Sequence, residues 1–533
     1  MVDSVSMKSR AHLFFECTDI TNLIVNEIID PGGTSKLSDN SQKDLVAFAC
    51  VCSSTFDPAL RVLWHKQRGL DNLMRTLPAD AWKSECIGKV TVEHLFEEHG
   101  GDEEDDIGEE TITRARLMEN KRKVFSLTRP LSSFEWQRFD YYAAFIKHLV
   151  VGFTLTEWSP DVSWALQLHR YSLGRPLLPN LQEFVSVLRE EVFFPVSVFL
   201  PPMLKNIELV DCKVLWTQAF LSYFLAVSPK VEYIRIRGFF TTSPEPIDIR
   251  PLLGCVHLRS LEISQLRVSV ESALDLAQLP YLETLSLSFI RHPASQSPLP
   301  HHLNPYIFHR VKSLECTSSP EFLQAGRFPA LQSITLKDGF RIRESLNALW
   351  KHCSPEILSS FMIDWNSSSD SNLTLEDIRK VFSFRSLERF DIRTPRCIWD
   401  DHALETIASA CSGLRDLVIY ATNSVDEDPD GFTLHGLIHL AKYCPQLRSL
   451  CLTIRFRTPP VSLSDIPGDV PSNVHIESIY LSETDIESSQ CDTVAAFLSR
   501  LFPKLRHVDL PFYTESWASW KRVDELLEKL GAE

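Results

Sequence analysis

His435 and His439 stand four residues apart, a spacing that places two imidazoles on one helical face where they could share a zinc ion. The glutamate that follows the first histidine in zinc-protease helices is missing, because Gly436 occupies that place. Both histidines therefore read as structural. No Gly-x-Ser-x-Gly elbow, Gly-x-x-x-x-Gly-Lys-Ser/Thr loop or Gly-x-Gly-x-x-Gly string occurs, so the common hydrolase, nucleotide and dinucleotide signatures are lacking. Thirteen cysteines are scattered with no Cys-x-x-Cys pair. Their odd number and spacing argue against a disulfide framework or a zinc ribbon, and they read as reduced core residues. No catalytic residue, metal or cofactor is expected, and the chain is not expected to be an enzyme.

Charged side chains recur in a different pattern. Glu262, Glu315, Asp391 and Asp509 each lie between two apolar residues, and Arg235, Arg389 and Arg393 lie on equivalent sites. In an extended strand such residues point away from the apolar side. A glycosidase-like acid pair is one reading of the carboxylates. The mixed signs fit protein recognition better, and these seven are the candidate target contacts.

The elements that must carry them are repeats. An aliphatic-x-x-apolar-x-apolar pattern recurs as Leu204/Ile207/Leu209, Val231/Ile234/Ile236, Leu258/Leu261/Ile263, Leu282/Leu285/Leu287, Val311/Leu314/Cys316 and Leu331/Ile334/Leu336. It continues as Leu358/Phe361/Ile363, Leu387/Phe390/Ile392, Leu414/Leu417/Ile419, Leu447/Leu450/Leu452, Ile476/Ile479/Leu481 and Leu505/Val508/Leu510. Two earlier copies are Ile146/Leu149/Val151 and Leu181/Phe184, the latter with Ser186 in the third place. The mean step from Ile146 to Leu505 is about 28 residues, within the range of leucine-rich repeats. Between copies lie helical faces such as Leu404, Ile407, Ala408, Cys411 and Val494, Phe497, Leu498, Leu501, and the phrases at 444–450 and 502–506 place Pro445 and Pro503 just after a helix as stops. The unit resembles the irregular leucine-rich repeats, which implies an α/β solenoid: a curved parallel sheet with outer helices over 141–511. The asparagine usual after the third apolar position is mostly absent. Trp517, Trp520, Val523, Leu526, Leu527 and Leu530 form an amphipathic helix over 512–533 that caps the array.

The N-terminal region differs in kind. Residues 12–70 read as short helices carrying Ile20, Leu23, Ile24 and Ile28, then Leu45, Phe48, Ala49 and Cys52, then Phe56, Leu60 and Leu63, with Asp44 and Asp57 as helix starts and a loop over 31–42. Leu45, Phe48, Ala49, Cys52, Phe56, Pro58, Ala59, Leu60, Leu63 and Trp64 together resemble the F-box, as it occurs in the F-box proteins expanded in mushroom-forming (basidiomycete) fungi. Ser53 stands where Arg is common in that family, and Asp19-Ile20 replaces its Leu-Pro opening. Two downstream phrases, 76–82 and 129–142, also resemble those proteins. The resemblance implies a substrate-recognition subunit of an SCF-type cullin-RING ubiquitin ligase. Its adaptor would contact Leu23, Ile24, Ile28, Leu45, Phe48, Ala49, Cys52, Phe56, Pro58, Leu60, Leu63 and Trp64. Through the adaptor the chain would join the cullin, and its repeats would hold a protein target. The alternative is a leucine-rich-repeat scaffold without ligase association.

Composition fits these expectations. Of 533 residues, 44% are hydrophobic and 23% charged, which is globular composition and too long for one ordinary core. A formal charge of -16 opposes nucleic-acid binding. No apolar run long enough to span a bilayer and no secretory signal is seen, so neither a membrane nor secretion is expected. The expected location is cytoplasmic and/or nuclear. Segment 71–140 reads as a helical linker in which the acidic stretch 97–110 is a solvated loop. The glycosylation triplets at Asn366 and Asn372 matter only in a secreted chain.

Overall fold

The computed structural model describes residues 18–29, 39–87, 122–151, 175–187, 200–212, 214–238, 246–289, 306–317, 319–337, 342–365, 373–394, 399–421, 431–454, 460–482, 486–509 and 517–530. The acidic stretch 97–110 and both glycosylation asparagines, Asn366 and Asn372, lie outside them. The chain divides into two compact units, the first comprising Met1–Ser243 with Gly254–Leu258 and the second Pro244–Leu253 with Arg259–Glu533.

The first unit begins with three helices, Thr18–Ile29, Asp39–Ala49 and Ser53–His65. Its parallel strands follow in the order Lys66–Arg68, His148–Val151, Glu183–Val187, Asn206–Cys212 and Tyr233–Gly238, each beside the one before. Among the described residues, the second unit has ten parallel strands side by side, from Ser260–Val268 to His507–Asp509, and a separate parallel pair, Tyr306–Ile307 with Gly326–Arg327. Between many of these strands lie helices or helical turns, such as Val214–Val227 and Ile342–His352, which serve as the crossovers that parallel neighbours need.

Every repeat copy begins two residues before a strand. The register is in phase. In the first unit Leu149, Phe184, Ile207 and Ile234 lie side by side. In the second, the row runs through Leu261, Leu285, Leu314, Ile334, Phe361, Phe390, Leu417, Leu450, Ile479 and Val508. All of these are buried. A one-residue slip of any strand would turn its row outward, so the apolar spacing itself fixes the pairing.

In many copies the first residue closes a tight turn. Leu414 donates its N–H to the Cys411 carbonyl at 3.1 Å, Leu447 to Cys444 at 3.2 Å and Leu505 to Phe502 at 2.9 Å. The next carbonyl then receives two N–H groups of the following repeat: Glu388 accepts from Arg415 at 2.7 Å and from Asp416 at 3.0 Å. Asn473 occupies the turn position that holds cysteine or phenylalanine in neighbouring copies. It is buried, and its amide donates to the carbonyls of Cys444 at 3.0 Å and Leu447 at 3.1 Å, which satisfies a polar group in an apolar layer.

The helical faces fall as their spacing predicts. Leu404, Ile407 and Ala408 are buried on helix Asp401–Ala410, and Val494, Phe497, Leu498 and Leu501 on helix Cys491–Leu501. At the end of the second unit, helix Trp517–Leu530 buries Trp520, Val523 and Leu527. Its Asp524 Oδ1 accepts the Val508 N–H at 2.8 Å, so a side chain of the terminal helix occupies a backbone donor of the last strand. An uncovered strand edge would otherwise present free donors to other chains. Among the described residues, no helix is long and apolar enough to cross a membrane.

Four local expectations are corrected. The second and third helices start at Asp39 and Ser53, not at Asp44 and Asp57, so the loop read over 31–42 ends earlier. Thr55 makes the local start: its hydroxyl donates to the Phe48 carbonyl at 2.8 Å and accepts the Cys52 N–H at 3.3 Å. Segment 71–140 is not purely helical, since Trp82–Ile87 and Arg122–Leu127 pair as an antiparallel ribbon. Strand Lys66–Arg68 precedes the first recognised repeat copy. Its polar sequence hid it: the inward residue is Gln67, whose amide donates to the Leu63 carbonyl at 2.9 Å.

Candidate functional site: a helical module and a sheet face

The three N-terminal helices enclose a small core of Val25, Leu45, Ala49 and Ala59, with Ile28, Phe48, Val62 and Leu63 packed against it. Leu45 and Ala49 therefore point inward and hold the module together, and Leu60 is buried as well, which corrects their expected place on an adaptor-facing surface. Thr55 is also fully buried, while Phe56 beside it is 39% exposed. Leu23, Val46 and Val51 are exposed as well. Val46, Val51 and Phe56 bracket the turn between the second and third helices. Ile24, Cys52 and Pro58 are half-buried. Val46 and Val51 were missed because heptad-like spacing selects inward residues.

Trp64 is held from one side. Its ring lies 4.6 Å from that of Tyr142, on helix Ser133–Ala143. Tyr141 donates its hydroxyl to Asp57 Oδ1 at 2.7 Å, a bond that pushes the phenol up to about 12. Helix Ser133–Ala143 is itself fixed by a capping box. Glu135 accepts the Ser132 N–H at 2.7 Å, and its carboxylate takes the Arg129 guanidinium at 2.8 Å. The Arg129 hydrogen bond holds Glu135 down at about 2. The phrase 129–142 thus serves to anchor the third helix.

The sheet-face candidates are separated by the register. In the first unit Arg235 lies beside Glu208, its Nη1 3.9 Å from Oε1. In the second unit one row of outward residues runs Glu262, Ser286, Glu315, Thr335, Met362, Asp391, Val418, Cys451, Tyr480 and Asp509. Glu315 accepts the Ser286 hydroxyl at 2.9 Å and pairs with Lys337 at 2.7 Å. Glu262 and Glu315 are separated by a strand, and Asp509 lies at the far end of the row.

Arg389, Asp391 and Arg393 come together on one strand. Arg393 donates through Nε at 3.1 Å and Nη2 at 3.2 Å, and Arg389 through Nη2 at 3.4 Å, all to the Asp391 carboxylate. This bond set raises Arg393 above the ordinary guanidinium value. Asp391 has no exposed surface, whereas each arginine side chain keeps nearly half of its own. Asp391 is therefore corrected from a target contact to a residue that orients two guanidiniums, and these are the groups a partner could reach.

Beside this cluster lie residues the charge pattern did not reveal. Tyr420 and Tyr480 have ring centroids 6.4 Å apart, on the strands either side of Cys451. Burial pushes the Cys451 thiol up to about 11, with Asp391 adding to the shift, and raises Tyr480 too. Met362 and Val418 complete a half-exposed apolar lane. The signal for Met362, Val418, Cys451 and Tyr480 was register alone: each occupies the place between the second and third apolar residues of its copy, while Tyr420 lies in register with Arg393. The two histidines face different carboxylates, His435 Nε2 lying 3.2 Å from Asp465 and His439 Nδ1 3.8 Å from Glu405.

The chain matches no protein-family model and no curated protein.

Proposed function

We propose that this chain is the target-recognition subunit of an SCF-type cullin-RING ubiquitin ligase, docking its adaptor through the helical module and a protein target through the sheet face. The observation that carries this reading is the segment Leu45–Trp64. Its F-box-like residues fall on two short helices whose inward side is filled, while Val46, Val51 and Phe56 remain outward. Exposed apolar side chains on a helical module suit a partner's groove. The chain itself would perform no chemistry. The target surface would be the face carrying Arg389, Arg393, Met362, Val418, Tyr420 and Tyr480, where forked donors stand beside aromatic and aliphatic groups, the composition favoured at protein interfaces.

A second reading is a repeat scaffold without ligase association, in which the module is an N-terminal cap. The ties of Asp57 to Tyr141 and of Trp64 to Tyr142 favour it, because they bind the third helix to the body of the first unit. Co-purification decides between the two. The full chain and a Val51→Glu/Phe56→Glu variant are used as bait in a eukaryotic lysate. Recovery of adaptor and cullin by the parent chain but not by the folded variant supports the ligase reading. Recovery by neither favours the scaffold. Truncation at residue 70 is a poorer test, since it removes strand Lys66–Arg68.

A further inference from the structure

Ten cysteines lie among the described residues, and eight are buried or half-buried in the repeat layers. Burial pushes the thiols of Cys255, Cys316, Cys353, Cys411 and Cys444 up to about 12. Such thiols are protonated and shielded near neutral pH. Cys50 and Cys52 depart from this pattern and from the expectation that every cysteine is a core residue. Cys50 is exposed on the turn between two helices, and Cys52 is half-buried two residues further on.

The turn folds the chain back on itself. Cys50 donates its N–H to the Ala47 carbonyl at 3.1 Å, and Val51 donates to Phe48 at 3.1 Å. Two peptide units separate the Cα atoms by at most about 7.6 Å, and a turn brings them closer. That overlaps the span of about 4.4–6.8 Å that a disulfide needs. Cys52 stands just before helix Ser53–His65, with its sulfur 3.7 Å from Thr55 Oγ1. Desolvation acts to raise this thiol, but hydrogen bonds with Thr55 and Ser54 outweigh it and hold Cys52 below the ordinary thiol value. Cys50 thus differs from the thiols of the repeat layers in exposure, and Cys52 in the direction of its shift.

We propose that Cys50 and Cys52 are a redox pair that closes to an intramolecular disulfide on exposure to a low-molecular-weight disulfide such as oxidised glutathione. The Cys52 thiolate attacks one glutathione sulfur, the glutathione S–S bond breaks, and the leaving thiolate takes up the proton that Cys52 released. The Cys50 thiolate then attacks the Cys52 sulfur of the mixed disulfide, and a second glutathione leaves with the second proton. Two protein thiols are oxidised and one glutathione disulfide is reduced to two thiols. The new ring encloses Val51, which stands exposed between Val46 and Phe56 along the chain. If that surface docks an adaptor, closure reshapes it. This consequence rests on the ligase reading, while the disulfide chemistry does not.

The test uses the reduced full chain at near-neutral pH, treated with oxidised glutathione, alkylated and followed by intact mass and peptide mapping. The expected product has lost two hydrogens and carries a Cys50–Cys52 bond, formed about tenfold faster than any reaction at Cys353 or Cys451. Cys50→Ala should accumulate glutathione on Cys52, and Cys52→Ala should close no ring; circular dichroism checks that both fold. Stable glutathione adducts on both cysteines, a disulfide between two chains, or reaction no faster than at Cys353 overturns the pair. Adaptor capture is read separately. Equal capture by reduced and closed forms overturns the docking consequence alone, and failure of capture by the reduced chain overturns the ligase reading alone.

Discussion

Asp391→Asn removes the charge at the centre of the sheet-face cluster while keeping side-chain size. The carboxylate has no exposed surface and accepts three hydrogen bonds, at 3.1, 3.2 and 3.4 Å, from two guanidiniums. Removing one partner of a buried ion pair costs about 3–5 kcal/mol when the other charge is stranded. Here the arginines are not stranded, because 46% and 47% of their side-chain surface already faces water. The lower range for hydrogen bonds to a charged group applies instead, and the expected loss is about 2 kcal/mol. With a urea slope of about 3 kcal/mol/M for a unit of this size, the midpoint should fall by roughly 0.7 M. Arg389→Ala should cost less than Asp391→Asn, since Arg393 still holds the carboxylate in two bonds. Urea unfolding of the full chain, followed by tryptophan fluorescence, reads both. An Asp391→Asn midpoint equal to that of the parent would refute the argument that a buried charge organises this face.

Leu45→Ala empties a fully buried position and should destabilise the helical module by about 3 kcal/mol, seen as faster amide exchange over 39–65. Phe56→Glu should leave that exchange unchanged and, on the ligase reading, abolish adaptor capture. Gly436→Ala places a Cβ 2.5 Å from Asp401 Oδ1 and 2.7 Å from Leu404 Cδ1, and should lower stability by about 1–3 kcal/mol despite the better helix propensity of alanine. Gly254→Ala, with nothing within 4 Å, is the control; thermal scans compare them. Glu135 is depressed to about 2 in the folded chain, so its contribution is present above the ordinary carboxylate value and is lost as pH falls through the interval down to about 2. Glu135→Gln should therefore lower the melting temperature near neutral pH and flatten its dependence across that acid interval; an unchanged acid profile would count against the Arg129 pairing.

Much of the architecture was legible because one physical rule repeats. Residues such as Leu417 and Ile419 alternate along a strand, and the preceding Leu414 closes a turn, so three apolar places per copy locate strand, side and start together. Lys66–Arg68 escaped because its inward residue, Gln67, is polar and satisfied by hydrogen bonds rather than by apolar contact. The helical module was legible as helices but not as surfaces. In a small bundle, Leu45 and Val46 are neighbours in sequence, yet one is buried and the other exposed.

The amino-acid sequence by itself determined the repeat, its strand positions, the helical faces and the terminal cap, since these follow from local spacing. Tertiary structure alone decided what each polar residue does. It withdrew Asp391 from the surface into the grip of two arginines, set Tyr420 beside Tyr480 across an intervening strand, and left Cys50 and Cys52 outside the core that holds the buried cysteines. Burial and partnership of a side chain depend on neighbours remote in sequence, and periodicity carries no record of them.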